Sequence, residues 1–351
     1  MSKADKIKKF DASGIGDTNN NLYGLPFTTE EADVVVLPVP WEVTVSYSAG
    51  TAKGPEAIFD ASFQVDLFDP YIKDVWKIGI AMEPVSKKIK NTSGLLRKKA
   101  EKYIGLYEQG QEPGSNKAML AIQREINSAC KNMNAWVKER AVANLNKNKI
   151  VALIGGDHST PLGLMQALAE KHSSFAILQL DAHADLRDAY EGFEFSHASI
   201  MFNAIKIPQV SKLVQVGIRD YCEAEAELER KSKGRIKTFY DRDIKSRQYE
   251  GASWKEICID IIKELPEKIY LSFDIDGLDP KLCPNTGTPV AGGFEFEQVL
   301  FLIQKIVESG KQIIAFDINE VTPGKDEWDA NVGARLLYRI AGLAARSNKK
   351  I

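Results

Sequence analysis

Two short stretches set Asp and His side chains at a spacing of two: Asp181-Ala182-His183-Ala184-Asp185 and Asp274-Ile275-Asp276. On an extended chain residues two apart point to the same side, so Asp181, His183 and Asp185 converge, as do Asp274 and Asp276; on a helix they would diverge. Gly155-Gly156-Asp157-His158-Ser159 adds an imidazole, and Asp317-Ile318-Asn319-Glu320 adds a further carboxylate. Carboxylates crowded at one place repel one another strongly unless cations sit between them. Asp181, Asp185, Asp274 and Asp276 carry four negative charges, which two divalent ions would balance. With His158 and His183 the set becomes six side chains in which oxygen predominates, a donor set suited to Mn²⁺; zinc, cobalt and iron stay open on ligand type alone. The chemistry expected of such a pair of ions is hydrolysis by a hydroxide held between them.

These side chains need a frame that brings four strand ends together. Runs rich in β-branched residues, Val34–Val39, Ile150–Ile154, Phe175–Leu180, Leu213–Val216, Ile269–Phe273 and Gln312–Phe316, read as buried parallel strands. Segments with apolar residues three and four apart, such as Pro161–His172, Glu297–Glu308 and Ala334–Ala345, read as helices between them. Alternating strands and helices predict one α/β sheet covered on both faces. In such sheets ligands collect beyond the carboxyl ends of the strands, which is where the four polar motifs fall. The histidines agree: of four in the chain, His158, His183 and His197 lie in or beside these ends, and only His172 reads as a surface residue closing a helix.

The rest of the composition is that of an ordinary globular chain of 351 residues. Lys plus Arg (46) nearly balances Asp plus Glu (48), so no nucleic-acid or anionic-membrane surface is expected. No apolar run approaches the roughly 18 residues that span a bilayer, and no apolar signal-peptide core follows the polar start Met1 to Lys9; cytoplasm is the expected compartment. Cys130, Cys222, Cys258 and Cys283 are widely spaced and read as reduced structural thiols, with Cys283 close enough to a motif to lie near the site. No linker or repeat divides the chain, which predicts a single domain over 1–351. One stretch differs: about 86–149, rich in Lys, Glu, Asn and Gln and broken near Gly110–Gly114, reads as a charged helical hairpin or excursion attached to the sheet, solvated or at a subunit contact. Gly14-Ile15-Gly16 follows no strand and lacks a third glycine at the right spacing, so it is not a dinucleotide site.

Taken in order, Gly155-Gly156-Asp157-His158-Ser159, Asp181-Ala182-His183-Ala184-Asp185, Ser272-Phe273-Asp274-Ile275-Asp276-Gly277-Leu278-Asp279-Pro280 and Glu320-Val321-Thr322-Pro323 resemble the ureohydrolases, the family of arginase and agmatinase, over roughly residues 33 to 345. The resemblance implies a three-layer α/β/α sandwich around a mostly parallel sheet. It implies two Mn²⁺ per chain, one held by His158 and Asp185, the other by His183 and Asp276, with Asp181 and Asp274 bridging. It gives Asp185 the further role of orienting the hydroxide, Glu320 that of receiving the guanidinium through paired hydrogen bonds, and His197 that of shuttling a proton to the leaving amine. It also implies trimers or hexamers.

Asp185-Leu186-Arg187-Asp188-Ala189-Tyr190-Glu191-Gly192 and the Trp41–Ile58 segment are similar to the agmatinase branch. Agmatine, cleaved to urea and putrescine, is therefore the expected substrate, with arginine and other guanidino or formimino compounds as alternatives. Two other classes remain: a mononuclear zinc deacetylase on a related fold, and a non-catalytic regulatory relative.

Overall fold

Each of the six apolar runs forms a strand. In the computed structural model, which describes residues 1–351, the strands are β1 (Val34–Val39), β2 (Ile80–Met82), β3 (Ile150–Gly155), β4 (Phe175–Leu180), β5 (Val210–Ile218), β6 (Ile236–Tyr240), β7 (Lys268–Asp274) and β8 (Gln312–Asn319). They form one sheet of order β2-β1-β3-β8-β7-β4-β5-β6, in which every neighbouring pair is parallel. The sheet is thus wholly parallel. β2 and β6, invisible as apolar runs, are its two edges. Edge strands pair on one side only and need less apolar content to be held. The free edge of β2 is closed by Asn21, whose amide oxygen accepts the Met82 N–H at 2.7 Å and whose Nδ2 donates to the Met82 carbonyl at 3.2 Å.

Successive residues of a strand face opposite sides, and the two faces have separate cores. Val34, Val36, Ile150, Ala152, Ile154 and Phe316 pack with helices Gly54–Ser62, Trp254–Lys263, Phe296–Glu308 and Trp328–Ser347. Val35, Leu37, Val151 and Leu153 pack with helices Lys87–Glu108, Lys117–Asn146 and Leu162–Lys171. The result is a three-layer α/β/α sandwich. No helix is long and apolar enough to cross a membrane.

The charged stretch is indeed a helical hairpin, Lys87–Glu108 and Lys117–Asn146, capped at its starts by Ser86 and Asn116 and turned at Gly110 with φ of 80°. It is attached to the sheet as expected, and packs over one face of it. Met119, Ile126, Cys130, Met133, Val137, Ala141 and Leu145 form a buried inner stripe, while the lysines that dominate its composition stay outside. Burial contributes about 1.5–3 kcal/mol for each large apolar side chain. An exposed pair such as Lys99–Glu125 contributes about 0–1 kcal/mol, so packing holds the hairpin.

The four strand ends bearing the motifs, β3, β8, β7 and β4, are the four central neighbours of the sheet. Asp274 pairs in register with Asn319, and Leu180 with Phe273, which sets Asp181 beside Asp274. The two glycines after β3 are required by close approach. A Cβ at Gly155 would lie 1.9 Å from Asn319 Oδ1, and one at Gly156 would lie 2.0 Å from the Trp41 carbonyl oxygen.

Candidate metal centre and active site

All six predicted ligands meet at this edge. His158 Nδ1 lies 3.0 Å from Asp181 Oδ2, 3.1 Å from Asp185 Oδ2 and 3.3 Å from Asp274 Oδ2. His183 Nδ1 lies 3.0 Å from Asp276 Oδ2 and 3.7 Å from Asp181 Oδ1. Two groupings could each hold a metal ion: His158 with Asp181 and Asp185, and Asp181 with His183 and Asp276. Asp181 belongs to both. Asp274 approaches the first through His158 and is tied to the second by the Asp276 N–H, which donates to its Oδ1 at 2.9 Å.

Two observations show that this set fits cations. His158 Nδ1 is buried and stands 3.0–3.3 Å from an oxygen of each of three carboxylates, the convergence expected around a shared cation. Two of the carboxylates, Asp274 and Asp185, are pushed toward neutrality, whereas Asp181, against its burial, is held below the usual carboxylate range by His158 and His183. Burial, then the charges of Asp276 and Asp181, raise Asp274 well above the usual carboxylate range. Burial and Asp181 raise Asp185 to about 7. Burial opposes charge on the imidazoles, yet the surrounding carboxylates overcome it, raising His158 well above its ordinary value and His183 to about 12. Protons thus take the place of cations among these ligands.

The stability that His183 contributes when metal-free is fully present below its ordinary value of 6.5 and fades as pH rises toward 12. Asp185 has a raised folded value too, so the metal-free protein loses stability as pH climbs from the ordinary 3.8 to about 7. Metal binding needs these same groups deprotonated and strengthens with pH. The gap in Tm between manganese-loaded and chelator-stripped protein is expected to widen from about pH 6 to about pH 8; thermal scans in which it narrows would contradict this.

The ligands are held from behind. His158 Nε2 lies 2.9 Å from Ser272 Oγ, which donates to Asp317 Oδ1 at 3.1 Å. The buried carboxylate of Asp317, which also accepts from the Tyr270 hydroxyl and from Phe273 N–H, orients this relay so that Nε2 donates and the Nδ1 lone pair faces the cluster. Ser272→Ala is expected to weaken metal affinity about 10–100-fold, read by metal titration of stripped protein. A second chain crosses three strands: Thr238 Oγ1 donates to Gln215, Gln215 Nε2 to Gln179 at 2.6 Å, and Gln179 Nε2 to Asp181 Oδ2 at 2.8 Å. Sequence reasoning passed over Gln179 and Gln215. Their signal was a polar residue in the middle of an apolar strand, in Phe-Ala-Ile-Leu-Gln-Leu and Leu-Val-Gln-Val.

Asp157 and Asp279 are turn residues, accepting from Ser159 N–H and Lys281 N–H. His172 follows a helix end as expected. Cys283 is near the cluster but buried, its thiol directed at the Ile275 carbonyl at 3.2 Å and its pKa driven up by burial and then by Asp276 and Asp274. It is inert as a nucleophile.

A cavity of about 510 Å³ opens onto the cluster, lined by Ser46–Ser48, His183, Asp185, Arg187, Tyr190, His197, Asp220, Tyr221 and Gly287–Val290. A larger groove of about 780 Å³, beside β2 between Phe27 and Glu83, lies away from the cluster and includes none of the six candidate ligands. His197 is half-buried in the pocket wall, with Nδ1 3.5 Å from Ser196 Oγ. Burial, and then the imidazoles of His183 and His158, push its pKa down. Glu320 is buried; its Oε1 accepts the His158 N–H at 2.8 Å, and its Oε2 would stand 3.4 Å from a Cβ at Gly287 in the pocket lining. Asp185 and Glu320 both adopt left-handed backbone, with φ of 54° and 62°, a conformation that side chains other than Gly rarely take and that concentrates at functional sites.

The sequence profile of the arginase family matches residues 32–342. The chain belongs to the arginase family. It is a ureohydrolase, a hydrolase of carbon–nitrogen bonds in linear amidines. It is 32% identical over 314 residues to the N(1)-aminopropylagmatine ureohydrolase of Thermus thermophilus, covering 90% of this chain and 91% of that one. It is 28% identical to the agmatinase of Pyrococcus horikoshii, covering 90% and 94%. The crystal structure of the agmatine ureohydrolase of Thermoplasma volcanium superposes with a TM-score of 0.69 at 21% identity, covering 99% of both chains. That likeness establishes the shared fold.

Proposed function

We propose that this arginase-family chain binds two Mn²⁺ and hydrolyses the guanidino group of agmatine to urea and putrescine. The observation that carries the reading is His158 Nδ1, buried and within 3.0–3.3 Å of three carboxylates, beside a second imidazole–carboxylate group sharing Asp181. The oxygen-rich donor set favours manganese. His158 and Asp185 would hold one ion, His183 and Asp276 the other, with Asp181 and Asp274 between them. When bound, such a pair of ions lowers the pKa of shared water enough to supply hydroxide near neutral pH.

The remaining steps belong to the chain. Asp185 orients the nucleophile. Glu320 receives the guanidinium: Oε2 faces the pocket lining, Oε1 keeps a second lone pair, and a carboxylate matches the guanidinium fork. Collapse of the tetrahedral intermediate requires a proton on the leaving amine. With Nδ1 of His197 toward Ser196, Nε2 is the atom that relays it: the depressed pKa keeps the imidazole neutral, able to take the proton released by the attacking water and pass it to the leaving nitrogen.

A second reading is favoured by the Thermus relative and by the open pocket mouth, where Tyr47 is 76% exposed and Asp220 presents its carboxylate. In that reading the leaving amine carries an aminopropyl group, whose additional ammonium would meet Asp220. The test is urea release by manganese-loaded protein from agmatine, N(1)-aminopropylagmatine, arginine and 4-guanidinobutyrate. One of the first two is expected to have the highest kcat/KM; a clear preference for arginine overturns the substrate assignment. A trimer or hexamer is expected by light scattering.

A further inference from the structure

The hairpin Lys87–Asn146 contributes no residue to the pocket lining, yet it is bonded to both loops that form the pocket mouth. From its first helix, Ser93 Oγ accepts the Glu42 N–H at 3.1 Å, and the buried Arg97 donates through Nη1 to the carbonyls of Val43 and Val45. Glu42 then accepts from the N–H groups of Gly50 at 2.6 Å and Ala52 at 3.1 Å. Ser46–Ser48, which line the pocket, hang between these anchors.

The second loop is held from the second helix. Gln123 Nε2 and Asn127 Nδ2, one helical turn apart on the same face, both donate to the Gly192 carbonyl, at 2.9 and 3.3 Å. Asn127 Oδ1 accepts the Glu194 N–H at 3.0 Å, and the Tyr103 and Phe193 rings pack with centroids 4.9 Å apart. The approach is close enough to demand glycine: φ at Gly192 is 80°, and a Cβ there would lie 2.1 Å from Gln123 Nε2. This loop carries Arg187, Tyr190 and His197 into the pocket.

We propose that the hairpin is a positioning element for substrate affinity, clamping the Glu42–Gly50 and Arg187–His197 loops at a fixed separation around the part of the substrate beyond its guanidino group. The inference rests on the reading of this pocket as the substrate site. Both segments contain little regular structure, so bonds from the hairpin remove freedom that the substrate would otherwise have to remove on binding. The six metal-ligand candidates sit at strand ends and in the turns after them and take no bond from the hairpin. Loosening the clamp therefore raises KM and leaves metal binding in place.

The test compares wild type with the double variant Gln123→Ala/Asn127→Ala and, for the other loop, with Arg97→Lys, all manganese-loaded. In the double variant, amide exchange across Arg187–His197 is expected to quicken about tenfold while β3 and β4 stay as in wild type. KM for agmatine, or for its aminopropyl derivative if that is the substrate found, is expected to rise about tenfold, with a smaller fall in kcat from the looser placement of His197 on the same loop. Arg97→Lys is expected to quicken exchange in Glu42–Gly50 in the same way. Unchanged exchange in these loops, equal quickening in β4, or a fall in kcat at constant KM overturns the proposal. Should wild type cleave no guanidino compound, the functional reading fails and the exchange measurement alone decides whether the hairpin clamps the loops.

Discussion

Asp274→Asn is expected to lower kcat by about a thousandfold or more while raising the melting temperature of the metal-free protein. The two effects have one cause. Asp274 ends β7, buried beside Asp276 and Asp181, and burial together with those two charges holds its carboxyl well above the usual range. An acid whose pKa is raised by folding destabilises the folded state at every pH above its unfolded value. Asparagine keeps the shape and spares the folded protein the cost of holding that carboxyl protonated, so the stripped variant melts higher near neutral pH. With manganese present the sign reverses. A ligand that binds only the folded state stabilises it by about 2.7 kcal/mol at a hundredfold excess over Kd. A variant that has lost a bridging carboxylate forfeits much of that. Scanning calorimetry with and without manganese checks both signs. A stripped variant that melts lower than stripped wild type would show that the carboxylate is a structural support and that its charge is not under strain.

Glu320→Gln is expected to lower kcat/KM by about two to three orders of magnitude with two ions still bound. Glu320 lies at the carboxyl end of β8, in left-handed backbone fixed by its N–H to the Gly156 carbonyl at 2.9 Å and by Thr286 Oγ1 donating to its own carbonyl at 2.9 Å. Its side chain is buried, so a guanidinium received there leaves water behind. Leaving one charge of a buried pair without its partner costs about 3–5 kcal/mol, and about 1.4 kcal/mol is a tenfold change. Glutamine retains the oxygen that accepts from His158 N–H, so the turn is kept and the lost charge is what the kinetics report. Steady-state kinetics with parallel metal analysis separate this outcome from the Asp274 case. A variant with unchanged kcat/KM would remove Glu320 from substrate recognition.

How much of this was legible in the residues depended on how local the signal was. The ligand set could be read because a period of two on an extended chain is a local property, and Asp181, His183 and Asp185 announce it within a single short run. The central strands could be read because burial on both faces forces continuous apolar runs, as in Val34–Val39 and Phe175–Leu180. β2 and β6 could not, since three residues leave no period and Ile-Lys-Thr-Phe-Tyr mixes exposed with buried positions. The hairpin was legible as helices attached to the sheet, but not in how much of it is buried: its lysines dominate the composition, while the stripe from Met119 to Leu145 that fastens it to the sheet is spread along a helix of 30 residues. The supports behind the ligands were the least legible. Thr238, Gln215 and Gln179 lie on three strands, and nothing in the order of the sequence says that their side chains meet in a chain ending at Asp181.

Two ions per chain is the claim on which the reading of the cluster stands, and counting them is its most direct test. Chelator-stripped protein titrated with manganese, freed of excess metal by gel filtration and analysed for metal and protein content, is predicted to retain two ions per chain. Retention of one ion, as a mononuclear site would show, or of none would contradict it.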